Sequence, residues 1–470
     1  MRAHEAGALH GNDAAPQWLP YPTDVNHLID GLWSTATERG ADGALEVAGV
    51  SVKEIARTVG TPTFVIDEAD FRSRAAAFRD AFAAAFSPLN GADMSYAGKA
   101  FLTRAVARWM REEGLGIDVC TGGELAVALA SGTDPATITV HGNNKSDAEI
   151  ARAIEVGAGR IVIDSLDEVA RVDEIARTYD AVQPVLIRVT SGVEAHTHEF
   201  IATAHEDQKF GLSLATGDAF EAARLVSAAP NLQLEGLHSH IGSQIFDTHG
   251  FEVAARRVLA LVAEIRERTG EAVDHLVLGG GFGVMYNTQH TPKQPAELAD
   301  SLAQIVRLSC AELGIEIPRL GFEPGRAIAG PSTQTLYTVG TIKDVELGGV
   351  QRRLYVSVDG GMSDNLRTAL YDADYSCLLS GRTSDATPRV VRIVGKHCES
   401  GDIVVKDEYL PGDVRRGDLV SVPVTGAYCA SLASNYNHVP RPAVVSVKDG
   451  VITPMIRRET DDDLLARDLG

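Results

Sequence analysis

The sequence predicts an α/β chain: a (β/α)8 barrel followed by a β-rich domain. Three observations carry that prediction. Eight short apolar runs recur between residues 94 and 325, each ending in a polar or glycine-rich tip and separated by helical stretches. Beyond residue 330 the apolar period changes from 3.6 to alternation. The 470 residues exceed what a barrel alone needs.

Taken in order, residues 1–66 read as an N-terminal extension, partly packing with the β domain, with a helix in VSVKEIARTVG near residues 50–60. Residues 67–330 read as the barrel domain. Its first helix starts at Asp67, a plausible N-cap, and puts Phe71, Phe78, Phe82 and Phe86 on one face. It precedes the first barrel strand and fits the place of a helix missing after the eighth. The eight strand runs are MSYAGKA, GIDVC, ITVHGNN, IVIDS, PVLIRV, LEGLHSHIG, HLVLGGG and RLGFEPG. FLTRAVARWM, SDAEIARAIEVG, SLDEVARVDEIA, GFEVAARRVLALVAEI and PAELADSLAQIVRLSCAEL are the helices between them. After the fifth run comes a long polar loop, SGVEAHTHEFIATAHEDQKFG, of the kind that is often functional at that face. Residues 331–470 read as the β domain, through TLYTVGTI, RLYVSVDGG, VVRIVG, DIVVKDEYL, DLVSVPVTGAY and AVVSVKDGVITPMIRR.

Composition narrows the class. A net charge of −21 argues against nucleic acid or an anionic membrane as partner. No run has the length to span a bilayer, and the first residues lack a signal-peptide pattern. Five cysteines, widely spaced and without a Cys-x-x-Cys pair, fit a reducing cytoplasm and no structural zinc.

In a barrel the strand tips surround the active site. They are Lys99, Asp118, His141 with Asn143, Asp164, Arg188, His238 with His240, Gly279 to Gly281, and Glu323 with Arg326. Lys99 in a barrel mouth suits a Schiff base, although lysines at strand ends are common and most are solvated. The glycine run after the seventh strand suits a phosphate, because backbone N–H groups can come close; a tight turn is the plainer reading. Glu323 suits a protonated ring nitrogen, and Arg326 a phosphate or carboxylate; a solvated ion pair is the plainer reading. His240 could stack on a flat ring beside the Ser243 hydroxyl. His238 reads as facing away from it, a satisfied structural histidine. A rival metal site rests on His238-x-His240 and His196-x-His198-Glu199. Metal-dependent barrel hydrolases generally carry His-x-His on the first strand, where this chain has Lys99, so no metal is expected. In the β domain, Cys398 reads first as a small buried residue. Arg367 and Tyr371 read first as solvated loop residues.

The joint pattern SYAGKA, DVCTGGEL, HGNNK, GLHSHIGSQ, GGGFG, EPGRAI, DGGMSDNLRTALY, HCESGD and GAYCASLASNYN, in this order, closely resembles the diaminopimelate decarboxylase family, and in its wording the actinobacterial form. Those are fold-type III pyridoxal-phosphate enzymes with an alanine-racemase-like barrel and a C-terminal β domain. The resemblance runs from about residue 60 to the end. It departs at the lysine motif, often YAVKAN and here YAGKAF.

The resemblance implies a cytoplasmic lyase of lysine biosynthesis that converts meso-2,6-diaminopimelate to L-lysine and CO₂. Lys99 would carry pyridoxal 5′-phosphate covalently. His240 would stack on the ring, and Glu323 would pair with its nitrogen. Ser243, Gly279, Gly280, Gly281, Pro324, Gly325, Arg326 and Tyr428 would surround the cofactor. Arg326, Arg367, Tyr371, Glu399 and Tyr428 would bind substrate, and Cys398 would be an acid near the reacting carbon. The resemblance also implies a homodimer whose CESGD loop reaches the partner's barrel mouth. Related ornithine and arginine decarboxylases are the alternative, but they commonly show Cys-Asp where this chain has Cys398-Glu399.

Overall fold

The computed structural model of the protein describes residues 15–193, 209–348 and 351–470. They fall into two compact units. One comprises Arg72–Gly283 with Pro292–Ala327. The other comprises the described residues up to Phe71, Val284–Thr291 and Ile328–Gly470.

The first unit is the expected closed barrel. Its strands are Ala92–Ala97, Gly116–Val119, Ile138–Val140, Arg160–Ile163, Gln183–Thr190, Leu232–His240, His275–Gly279 and Arg319–Phe322. Each pairs in parallel with the next, and Leu320 beside Ala92 closes the ring. A two-residue strand, Leu212–Ser213, adds to the outside of the fifth. The loop before it carries His196, His198 and Glu199, and those three lie outside the described residues.

Short, capped βα loops fix the mouth. Thr103, Thr121, Ser146 and Ser165 each accept a backbone N–H at the start of the helix after one of the first four strands. Each such cap stabilises its helix by about 1 kcal/mol.

The helix Glu68–Phe86 begins where expected, with the Asp67 carboxylate accepting the Asp70 N–H at 3.0 Å. Phe78 stacks on Phe282 (5.4 Å), while Phe82 and Phe86 pack on Phe322 (4.4 and 5.3 Å). These aromatics cover the seventh and eighth strand ends. After the eighth strand only a four-residue helix, Arg326–Ala329, follows. The preceding helix thus supplies the missing cover.

The second unit is built on a sheet in which Thr63–Asp67 lies between Thr333–Gly348 (antiparallel) and Ala443–Lys448 (parallel). The run after Ala443 is a hairpin. Its turn residues Asp449 (φ 51°) and Gly450 (φ 77°) are both left-handed, as a tight hairpin turn requires. The helix Val52–Val59, capped by Ser51, buries Val52 and Ile55 with Leu45, Val65, Leu336, Val445 and Val447 in one apolar cluster. The N-terminal residues therefore share a core with the β sheet. Among the described residues no helix is long and apolar enough to cross a membrane.

Candidate active site

Lys99 sits in a single 3-10 turn, Gly98–Ala100, directly after the first barrel strand, with its side chain exposed. Asp118, Cys120, His141, Arg188, His238, His240 and Glu323 line the same hollow. His238 is not turned away from His240. Residues two apart on a strand share a face, and both imidazoles line the mouth.

Glu323 is the centre of this group. His238 Nε2 lies 3.2 Å from its Oε2, and His141 Nε2 lies 3.4 Å from its Oε1. The two imidazole rings meet edge to face at 5.0 Å. Burial pushes the Glu323 carboxyl up, but His238 and His141 outweigh it and hold the group below the usual carboxylate range. Burial brings His141 down to about 4 and lowers His238 and His240. The imidazoles are therefore neutral near pH 7, and Glu323 is ionised. Asp118, 3.7 Å from His141, is pushed well up by burial and by Glu323. Cys120 is pushed up to about 12 by burial, so its thiol is uncharged.

His141, His238 and Glu323 also stand close enough to share an ion. The expected metal-like pair was His238 with His240. The imidazole that converges with His238 is instead His141, from the third strand; His238 hydrogen-bonds Glu323, and His141 stands 3.4 Å from its other oxygen without a hydrogen bond.

Beside this group, Arg326 donates from Nη2 to the Ser243 hydroxyl at 2.6 Å. The glycine run also has a packing reason. None of Gly279 to Gly281 is in the left-handed region. The Gly281 N–H is already donated to the Gly242 carbonyl at 2.8 Å. The glycines are there for close packing. A Cβ on Gly279 would lie 2.8 Å from Glu323 Oε2, and one on Gly280 2.7 Å from the Phe251 ring. A Cβ on Gly325 would likewise lie 3.0 Å from Ala97, whose N–H is donated to the Pro324 carbonyl at 3.2 Å.

The second unit holds the other expected residues. Arg367, at the start of the short helix Arg367–Tyr371, is not a solvated loop residue. It is buried, and Nη1 donates to the hydroxyls of Tyr286 (2.6 Å) and Tyr375 (2.8 Å). The Tyr428 ring lies 5.9 Å from its guanidinium carbon. Its Nε has no hydrogen bond, and no carboxylate pairs with it, among the described residues. A buried cation without an anion suits a ligand carboxylate. Tyr371, at the other end of that helix, is 59% exposed. Cys398 is exposed rather than a small buried residue, and so is Glu399. Sequence reasoning missed Tyr286 and Tyr375. Tyr286 follows the seventh barrel strand, yet its segment Val284–Thr291 belongs to the second unit, and no periodicity marks that exchange.

The mouth residues fit pyridoxal phosphate by their chemistry. A primary amine suits its aldehyde, an ionised buried carboxylate its ring nitrogen, a neutral imidazole its flat face, and an arginine with a hydroxyl its phosphate. Such a donor set on a closed barrel defines a class of pyridoxal-phosphate barrel enzymes. Residues 68–330 match the family described as pyridoxal-dependent decarboxylase, pyridoxal binding domain, and the chain belongs to that family.

Within it, the chain is similar to several diaminopimelate decarboxylases. The diaminopimelate decarboxylase of Mycobacterium tuberculosis is 54% identical over 94% of this chain and 99% of its own length. That of Bacillus subtilis is 43% identical over 91% of this chain and 95% of its own. The crystal structure of the diaminopimelate decarboxylase of M. jannaschii in co-complex with L-lysine superposes with a TM-score of 0.86 at 30% identity, over 93% of this chain and 98% of that one.

Proposed function

We infer that the protein is a carboxy-lyase that converts meso-2,6-diaminopimelate to L-lysine and CO₂ with pyridoxal phosphate as cofactor. The observation that carries this is the pairing of two residue sets in one chain. The barrel mouth has a cofactor set centred on ionised Glu323, and the β-rich unit has a buried guanidinium, Arg367, with no carboxylate partner among the described residues. Near-full-length relatives of the same activity support it.

Pyridoxal phosphate, when bound, supplies an electron sink for the pair left as CO₂ departs. Lys99 is the amine that holds it covalently. Glu323 keeps a proton on its ring nitrogen, and His238 and His141 keep Glu323 ionised and oriented. His240 offers a neutral flat face. Arg326 and Ser243 hold the phosphate, with Gly279, Gly280 and Gly281 letting the backbone pack close and Tyr428 completing the shell. At the far end of the substrate, Arg367, Arg326 and Tyr371 take the carboxylate, and Glu399 takes the ammonium. A substrate lacking these groups would leave buried charge unpaired. Cys398 delivers a proton to the carbon that loses CO₂, with Lys99 as the other proton source.

We also propose residues 67–330 as the cofactor domain. The working form is a cytoplasmic homodimer in which the CESGD loop serves the partner's barrel mouth; the five free cysteines suit a reducing compartment. The deciding experiment incubates the purified protein with pyridoxal phosphate and meso-diaminopimelate and measures CO₂ and L-lysine. Preference for ornithine or arginine would overturn the substrate. Mixing Lys99→Ala and Cys398→Ala chains should restore activity in a fraction of hybrid sites. No recovery, with subunit exchange verified, would overturn the shared site.

A further inference from the structure

Asp402 closes the CESGD motif, and its carboxylate sits between two loops. Oδ1 accepts the Met362 N–H at 2.6 Å, and Oδ2 accepts the His397 N–H at 2.8 Å. Met362 belongs to the segment that leads into Arg367. His397 immediately precedes Cys398 and Glu399. The two loops are joined again where His397 Nε2 meets the Ser363 hydroxyl at 2.8 Å, and where the Lys396 N–H donates to the Gly360 carbonyl at 3.0 Å. A third loop is tied in. Asn437 Oδ1 accepts the Cys398 N–H at 3.1 Å, and the Ser434 N–H donates to the Ser363 carbonyl at 2.9 Å.

Two glycines make room for this carboxylate. A Cβ on Gly361 or on Gly395 would fall inside van der Waals contact with the Asp402 oxygens. Gly361 (φ 152°) is also in a backbone region that disfavours side chains. Asp402 is itself buried. A buried carboxylate is costly unless hydrogen-bond donors satisfy it. Here both loops supply those donors, so the charge is tolerated only while the loops stay together.

We propose that Asp402 is a positioning residue: it locks the loop carrying Cys398 and Glu399 to the loop carrying Arg367, so that the groups for both distal charges are held in one register. The proposal rests on the substrate reading above. It adds that selection of the distal end depends on a carboxylate that touches neither substrate nor cofactor. Asp402→Asn replaces one acceptor by an NH₂ facing an N–H, which parts the loops. Gly395→Ala pushes a methyl against the same carboxylate without changing charge.

The test uses the cofactor-loaded enzyme. Both variants should lose about a hundredfold in kcat/KM for meso-diaminopimelate, mostly through KM, as expected for groups displaced by about an ångström. Their cofactor absorbance should match the parent, while their thermal midpoint should fall by a few degrees with a single cooperative transition retained. Alkylation of Cys398 by iodoacetamide, read by mass spectrometry of its peptide, should accelerate in both. A kcat/KM within threefold of the parent together with an unchanged alkylation rate overturns the clamp. If the parent itself fails to turn over meso-diaminopimelate, the substrate reading falls. The clamp is then judged on alkylation alone, and no acceleration overturns it.

Discussion

The barrel mouth and the β-rich unit carry complementary halves of the proposed chemistry, and they are built differently. At the mouth the working groups stand on or just past strand ends; Lys99 is exposed, and Glu323 is enclosed with neutral imidazoles as near neighbours. In the β-rich unit, Cys398, Glu399 and Tyr371 are exposed, and only Arg367 is caged. A cofactor that stays bound calls for fixed, preorganised partners. A substrate that enters and leaves is better met by groups on loops, held in place by hydrogen bonds rather than by burial.

The sharpest way to break this comparison is Lys99→Ala. It should remove the visible absorbance of the loaded enzyme and lower kcat by about ten-thousandfold or more. If the band persists, the covalent attachment lies elsewhere. Glu323→Gln should follow, lowering kcat by about a hundredfold to a thousandfold through loss of the ionised carboxylate. Stopped-flow turnover with the cofactor band intact would separate it from Lys99→Ala. In the other unit, Arg367→Met should cost about 2–5 kcal/mol in kcat/KM, chiefly by raising KM, with cofactor binding unchanged. A fall in cofactor affinity would blur the division between the two regions. Cys398→Ala should lower kcat by at least about a hundredfold, with KM and absorbance near the parent values.

The smallest expected effect separates the regions by pH. In the barrel, burial brings His141 and His275 down to about 4. The unfolded chain takes up these protons near pH 6.5 and the folded barrel does not, so these two histidines cost the barrel stability as pH drops from about 6.5 to 4, while Asp118, raised in the same unit, acts in the opposite direction. In the β-rich unit, burial raises Asp364 and Glu408 to about 7. The folded unit keeps these protons above the pH at which the unfolded chain loses them, so its stability falls as pH rises from about 4 to 7. Each group contributes at most about 3–4 kcal/mol across its whole window. Hydrogen exchange at pH 5 and pH 7, corrected for intrinsic rate, should show that His275→Gln removes a loss of barrel stability toward pH 5 and Glu408→Gln a loss of β-rich-unit stability toward pH 7, so the two substitutions act with opposite sign. Effects of the same sign would count against the assigned ionisation states.

Much of this protein is legible from its sequence because the signals are local. The eight strands, their tips, the Asp67 cap and the phenylalanine face of the first barrel helix depend on periodicity and short-range geometry, and all are present. Lys99, His240, Glu323 and Arg326 follow from their positions at strand ends. Tertiary structure decided what those residues touch. The His238–Glu323–His141 group joins three strands far apart in the chain, and the histidines hold Glu323 ionised against its burial. The glycine run after the seventh strand is fixed by the bulk of Glu323 and Phe251 beside it. The cage around Arg367 needs Tyr286 from a segment that leaves the barrel unit for the β-rich one. These are packing and electrostatic facts between distant residues, and no local pattern encodes them.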